Sequence, residues 1–180
     1  MINSAKLWYA LSTKPGCEKK VSNMLTRKNI DNYCPLKRIE VSQRKLLLEP
    51  LFNSLVFIYT TEYQIPTLCK NDHIINVVYW LGKPAIIQSE EIEIMRGFLN
   101  EYTNVKLQKI PFTFNGMSRT VGEQGVAHKT PIISVKNNIV KIILASLGYT
   151  ILAEIESSKV EVFRSAFQSY TMNENYTYTF

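Results

Sequence analysis

The chain has 180 residues, enough for one medium domain or two small ones. Hydrophobic residues make up 46% of it, which excludes wholesale disorder, and no run of about 18 apolar residues exists to cross a membrane as a helix. The formal net charge of +6 suits an acidic partner.

Three cysteines, Cys17, Cys34 and Cys69, stand far apart with no CxxC pairing, which points to reduced thiols and a cytoplasmic protein. The opening residues carry no apolar run behind a basic stub, so no secretion signal is expected. The charge is uneven: residues 1–45 hold ten Lys/Arg against three acids, and residues 46–104 hold three against seven. Such polarity can orient a protein on a phosphate backbone, although a solvated surface accounts for it equally well.

The run from Leu7 to Ser12 is apolar and aromatic and predicts a buried strand. Lys14-Pro15-Gly16 turns the chain, and a helix is expected over 17–29. There Cys17, Val21, Met24 and Leu25 mark an apolar stripe, with Lys20, Asn23 and Arg27 on the other side. Extended pieces follow near Asn32–Leu36 and Ile39–Val41. A polar hairpin tip is expected at 42–45, then a strand over 55–59 that is apolar on both faces and therefore central. A short helix is expected within 61–69, a strand over 74–80, a turn at 81–84 and an edge strand at 85–87. Ser89 predicts an N-cap with Glu90 and Glu91 in the first turn, and Ile92, Met95, Phe98, Leu99 and Tyr102 mark one apolar helix face.

After 104 the texture changes. Residues 105–113 are polar and poorly periodic and predict a linker. Strands are expected at 120–127, 132–136, 139–144, 149–155 and 160–163, with a hairpin turn at Asn137 and Asn138. The tail 164–180 has no regular period and is expected to be loosely ordered, with tyrosines able to dock elsewhere. The fold class expected is α+β: an antiparallel sheet with flanking helices over 1–104, then a small SH3-like β-barrel over 114–163.

Several of these pieces, in this order, resemble the NusG family. They are Trp8-Tyr9, Lys14-Pro15-Gly16, Cys34-Pro35-Leu36, Glu49-Pro50-Leu51-Phe52-Asn53-Ser54-Leu55-Val56-Phe57 and Gly82-Lys83-Pro84-Ala85-Ile86, followed by the acidic helix start at Ser89. Gly122-Glu123-Gln124-Gly125 is a reduced form of the glycine core of that family's KOW barrel, and Leu147-Gly148-Tyr149 through Ile155 agrees with it. Two departures stand out. A family Pro-Gly-Tyr or Pro-Asn-Tyr is Asn53-Ser54-Leu55 here, and a Pro-Gly-Val is Asp72-His73-Ile74. The intact Glu-Pro-Leu-Phe and Lys-Pro-Gly pieces look nearer to specialised paralogues, RfaH and the UpxY antiterminators of surface-polysaccharide operons, than to housekeeping NusG.

The resemblance implies a transcription elongation and antitermination factor, not an enzyme and without cofactor or metal. Its first domain would bind the clamp helices of the largest subunit of RNA polymerase, and the positions that match are Phe52, Leu55, Phe57 and Trp80. Phe52, beside the turn-like Asn53-Ser54, is expected to be exposed; Phe57, alternating with Val56 and Ile58, also fits a core. The resemblance further implies contact of Lys14, Lys20 and Arg27 with the non-template DNA strand, and contact of the barrel with a ribosomal or termination protein. RfaH-like barrels can refold as a helical hairpin, but the β-branched runs over 132–135 and 139–143 favour strands.

The residues themselves leave an alternative, a KOW-type RNA- or ribosome-binding protein with no polymerase role, and a third reading as a protein adaptor. For catalysis they offer little. His73 and His128, the two histidines, lie at no ligand spacing, and no phosphate loop or nucleophile elbow occurs.

Overall fold

The computed structural model describes residues 5–42, 45–80, 82–110, 132–136, 138–144, 146–154 and 178–179. The chain forms two compact units, Met1–Lys37 with Leu48–Ser89, and Arg38–Leu47 with Glu90–Phe180. This partition differs from the boundary expected at 104, because the tip of a hairpin and the third helix from Glu90 onward go with the second unit.

In the first unit, β1 (Leu7–Thr13) is followed by α1 (Glu18–Arg27), β2 (Asp31–Tyr33), and the ribbon of β3 (Leu36–Ser42) and β4 (Lys45–Pro50) that spans the partition. Then come β5 (Leu55–Thr60), a 3₁₀ turn at Glu62–Gln64, α2 (Ile65–Leu68), β6 (Ile74–Val77), β7 (Tyr79–Trp80), β8 (Lys83–Pro84) and β9 (Ile86–Ile87). The main sheet runs β2-β5-β1-β6, with β9 also on β1, and these pairings are antiparallel. The strand expected over 74–80 breaks at Val78, whose N–H donates to the Ala10 carbonyl at 2.8 Å.

Strand alternation divides the sheet's residues between two faces. Tyr9, Leu11, Val56 and Ile58 share a core with Val21 and Leu25 of α1 and with Ile65 and Leu68 of α2. On the opposite face, Ala10 and Phe57 are paired in register and also buried. β5 is thus central and covered on both sides, as its unbroken apolar run requires.

Helix α3 (Ser89–Glu101) begins at Ser89 itself and lies in the second unit from Glu90 on, and Ile92, Met95, Phe98 and Leu99 are buried along one face. Tyr102 is half-buried against Phe98, with ring centroids 4.6 Å apart. Arg38 of the hairpin donates to the Asn100 carbonyl near the end of α3, and Asn104 donates its N–H to the Arg38 carbonyl at 2.8 Å. A cation at this end complements the helix dipole.

The expected linker is corrected over its first half: Lys106–Lys109 form β10, paired antiparallel with β13. The sheet of the second unit runs β10-β13-β12-β11-β14, with β11 at Ile132–Lys136, β12 at Ile139–Leu144, β13 at Tyr149–Glu154 and β14 at Tyr178–Thr179. Val140 and Ile142 pair in register with Ala153 and Ile151, and all four are buried. Asn138 turns the β11–β12 hairpin at φ +59, a conformation asparagine tolerates better than most residues. β14 pairs in parallel with β11, so two residues of the tail expected to be loose are strand. The strands expected at 120–127 and 160–163, the Gly122–Gly125 piece and His128 lie outside the described residues. The architecture is the expected α+β: a sheet with helices, then a β-rich carboxy-terminal part. No described helix is long and apolar enough to cross a membrane.

Candidate functional site

Helix α1 carries the nucleic-acid candidates. Val21 and Leu25 are buried, Met24 is half-buried, and Lys19, Lys20, Asn23, Arg27 and Lys28 are exposed. At 3.6 residues per turn, Lys20 and Arg27 lie two turns apart on the same outward face. Neither forms an ion pair among the described residues. Lys14 is exposed on the preceding turn, where its backbone N–H donates to the His73 carbonyl at 3.0 Å. The helix ends in a Schellman arrangement. Ile30 N–H reaches the Leu25 carbonyl and Asn29 N–H the Thr26 carbonyl, each at 3.0 Å, with Asn29 at φ +54.

What fixes this helix is a residue the sequence reading did not single out. Glu18 is only 3% exposed. Its Oε1 accepts the Ser54 N–H at 2.7 Å and the Gly16 N–H at 3.3 Å. Ser54 sits at φ +64, and its carbonyl accepts the Thr13 N–H at 2.8 Å. One carboxylate therefore ties the Lys14-Pro15-Gly16 turn and the first turn of α1 to the turn before β5. Only its burial was legible, because Glu18, Val21 and Leu25 follow helical spacing on a single stripe; its donors were not. An acid on a buried stripe needs donors, and backbone N–H groups supply them.

The flank of α1 toward β2 is a closed polar network. Ser22 donates to Asn32 Oδ1 at 2.6 Å, Asn32 Nδ2 donates to Thr26 Oγ1 and to the Ile30 carbonyl at 3.0 Å each, and Thr26 donates to the Ser22 carbonyl at 3.1 Å. Lys19 Nζ donates to the Leu48 carbonyl at 2.6 Å.

The four polymerase candidates are distributed differently from expectation. Phe52 is 2% exposed and Phe57 is 0% exposed. The expectation that Phe52 is exposed is therefore corrected. After Pro50 the chain folds back, with Leu51 N–H on the Pro35 carbonyl at 2.8 Å. Phe52 meets Phe57 edge-on, with centroids 5.6 Å apart and planes at 89°. Phe57 also stacks on Tyr33 at 6.4 Å. Leu55, two residues before Phe57 on the same face of β5, is half-buried, and Trp80 on β7 is 41% exposed. The structure thus joins Phe52 and Phe57 in one aromatic cluster and leaves Leu55 and Trp80 accessible.

The cysteines are free. Burial, followed by the nearby Glu18 carboxylate, pushes the Cys34 thiol up to about 11, so it is protonated at neutral pH. Cys17 Sγ lies 3.8 Å from Nδ1 of His73, the residue whose carbonyl accepts the Lys14 N–H. Among the described residues no group of three or more His, Cys, Asp or Glu is arranged to hold a metal ion.

The described residues thus comprise an α/β unit with a cationic helix fixed by Glu18, followed by a β-rich part. Residues 6–96, just over half of the chain, match the family model described as transcription termination factor NusG. The chain belongs to the NusG family, a family of transcription elongation and antitermination factors. It is similar to a solved structure of Thermotoga maritima NusG, described for its domain interaction. The identity is 14%, with 84% of this chain and 98% of that one covered, at a TM-score of 0.44. No curated protein matches it.

Proposed function

We propose that this protein is an operon-specific elongation and antitermination factor of the RfaH and UpxY type, acting in the cytoplasm by binding rather than by catalysis. Its first unit binds the clamp helices of the largest polymerase subunit, and the outer face of α1 contacts the non-template DNA strand. The observation that carries the reading is the family match over 6–96, which takes in the whole sheet of the first unit and α1. Two features of the geometry support it. The α1 face exposes Lys20 and Arg27 with no ion-pair partner among the described residues, which suits phosphate contact. Glu18 fixes that helix to the turn just before Leu55, so a DNA contact and a polymerase contact would share one rigid frame.

In this reading Leu55 and Trp80 are the accessible anchors, and the Phe52–Phe57 pair is the packed backing behind Leu55. Truncating a buried interface anchor costs roughly 2 kcal/mol or more. Leu55→Ala combined with Trp80→Ala should therefore weaken co-elution with core polymerase by well over tenfold while leaving the unfolding midpoint near that of the parent. Unchanged polymerase binding would remove those anchors from the proposal. Lys20→Glu should weaken crosslinking to the non-template strand and flatten its salt dependence by about one phosphate contact. The β-rich part is assigned to a ribosomal or termination protein. Sedimentation with ribosomes in the absence of transcription, without any polymerase binding, would replace this reading with that of a ribosome-binding module.

A further inference from the structure

One corner of the first unit gathers Cys17, His73 and Thr13, which the binding reading does not use. The Cys17 thiol lies 3.8 Å from His73 Nδ1, within sulfur hydrogen-bonding range. The backbone builds this contact: Cys17 N–H donates to the Lys14 carbonyl and Lys14 N–H to the His73 carbonyl, each at 3.0 Å. Thr13 pairs with Ile74, the residue after His73, in the β1–β6 ladder. Strand alternation puts Thr13 on the face of β1 that carries Tyr9 and Leu11, the face that packs against α1 and Cys17. Thr13 is fully buried, and its Oγ1 has no hydrogen-bond partner among the described residues. A buried hydroxyl left without a partner is destabilising, and here it faces the side of the thiol–imidazole pair with a donor to give. The three cysteines are all half-buried, so exposure does not separate them. Burial pushes the Cys34 and Cys69 thiols up, and Cys69 Sγ faces the Asn76 amide oxygen at 4.0 Å, an acceptor that does not take the proton. Among the described residues Cys17 alone of the three touches an imidazole, a base that works near neutral pH. Lys14, Pro15 and Gly16 beside it are exposed, and a Cβ on Gly16 would meet no atom within 4 Å, so a small molecule can approach from that side.

We infer that Cys17 is a redox modification site at which a hydroperoxide converts the thiol to a sulfenic acid, with His73 carrying the proton and Thr13 donating to the new oxygen. In the tautomer with its proton on Nε2, His73 accepts the Cys17 S–H hydrogen bond at Nδ1. As the proton passes to Nδ1, a sulfur lone pair attacks one peroxide oxygen and the O–O bond breaks. An S–O bond forms. The other oxygen takes the proton back from Nδ1 and leaves as water. Sulfur is oxidised and the peroxide reduced by the same electron pair, so no further reactant is needed. The product is the first and reversible step of thiol oxidation, and its oxygen is the acceptor that Thr13 Oγ1 lacks. A half-buried thiol favours a small oxidant over a bulky disulfide, because exchange depends on access. The modified sulfur would stand directly beside Glu18, the residue that anchors α1. The inference is independent of the polymerase and DNA contacts proposed above.

The test uses the full reduced chain at neutral pH with hydrogen peroxide in small excess. Dimedone, present throughout, traps sulfenic acid, and peptide mass spectrometry places the adduct. Cys17 is expected to be labelled about tenfold faster than Cys34 or Cys69, or more. His73→Asn, which puts an amide in place of the base, should slow Cys17 labelling by about tenfold and leave the unfolding midpoint near that of the parent. Thr13→Val should slow labelling severalfold and yet raise the midpoint, because a methyl group replaces an unpartnered buried hydroxyl. A merely structural role for Thr13 would not move rate and stability in these opposite senses. Labelling of Cys17 no faster than that of the other two cysteines, no adduct at all, or a Cys17 rate unchanged in either variant overturns the inference. Faster reaction of Cys17 with glutathione disulfide than with hydrogen peroxide overturns the assignment to a hydroperoxide.

Discussion

Strands β5 and β12 are each six residues long and each rich in branched aliphatics, yet they are buried in different ways. In β5, Val56, Phe57 and Ile58 are buried in succession, whereas in β12 only Val140, Ile142 and Leu144 are buried, alternating with half-buried Ile139, Lys141 and Ile143. β5 lies between β1 and β2 with apolar residues on both faces; β12 carries a lysine at its centre, so one of its faces stays partly open. An apolar side chain on a doubly covered strand belongs to the core before it belongs to any partner. That is why Phe57, with Phe52 against it, supports the first unit from within, and why the accessible candidates are Leu55, at the end of β5, and Trp80.

The sharpest way to break this contrast is Phe57→Ala. It should destabilise the first unit by about 3–5 kcal/mol, the range for a large aromatic removed from a packed core. Urea unfolding followed by tryptophan fluorescence reads this unit, because both tryptophans, Trp8 and Trp80, lie within it. A loss below about 1 kcal/mol would mean that the second face of β5 is open. In the second unit, Ile142→Ala should cost about 2–5 kcal/mol and Ile143→Ala less than half of that, measured by far-ultraviolet circular dichroism. Equal losses would erase the alternation.

Glu18→Ala should cost about 1–3 kcal/mol, because it leaves the Ser54 and Gly16 N–H groups without their acceptor. Glu18→Gln, whose carbonyl oxygen can still accept, should recover most of the loss, and hydrogen exchange at Ser54 should report the difference. Lys106→Ala should shift stability by no more than about 0.5 kcal/mol. The Lys106–Glu154 pair, at 2.9 Å, is largely exposed on both sides. A larger change would mean that β10 depends on this pair rather than on its ladder with β13.

The smallest effect at neutral pH concerns Cys34. Its raised pKa, about 11 against an ordinary 9.0, keeps it the neutral thiol through the physiological range. Its iodoacetamide alkylation should stay slow at pH 8 and climb only toward pH 11. The sign follows from burial favouring the uncharged form: any stability tied to this thiol is intact below pH 9 and is lost as pH rises toward 11. Rapid alkylation at pH 8 would mean that the site is open to water.

Much of this molecule was readable in one dimension. The helical spacing of Val21, Met24 and Leu25 fixed which side of α1 would be outward, and with it the exposure of Lys20 and Arg27. The unbroken apolar run of β5 marked it as central, and the paired asparagines at 137 and 138 marked the hairpin. These features depend on local periodicity and turn chemistry, which neighbouring residues set by themselves.

Three things were decided only in space. Phe52 stands beside a turn in the sequence, and the turn swings it edge-on against Phe57 instead of into solvent. Lys106–Lys109 has no strand pattern of its own and is a strand because β13 offers a ladder to complete. Glu18 takes its role from Ser54, thirty-six positions away, since a buried carboxylate is stable only where folding brings donors to it.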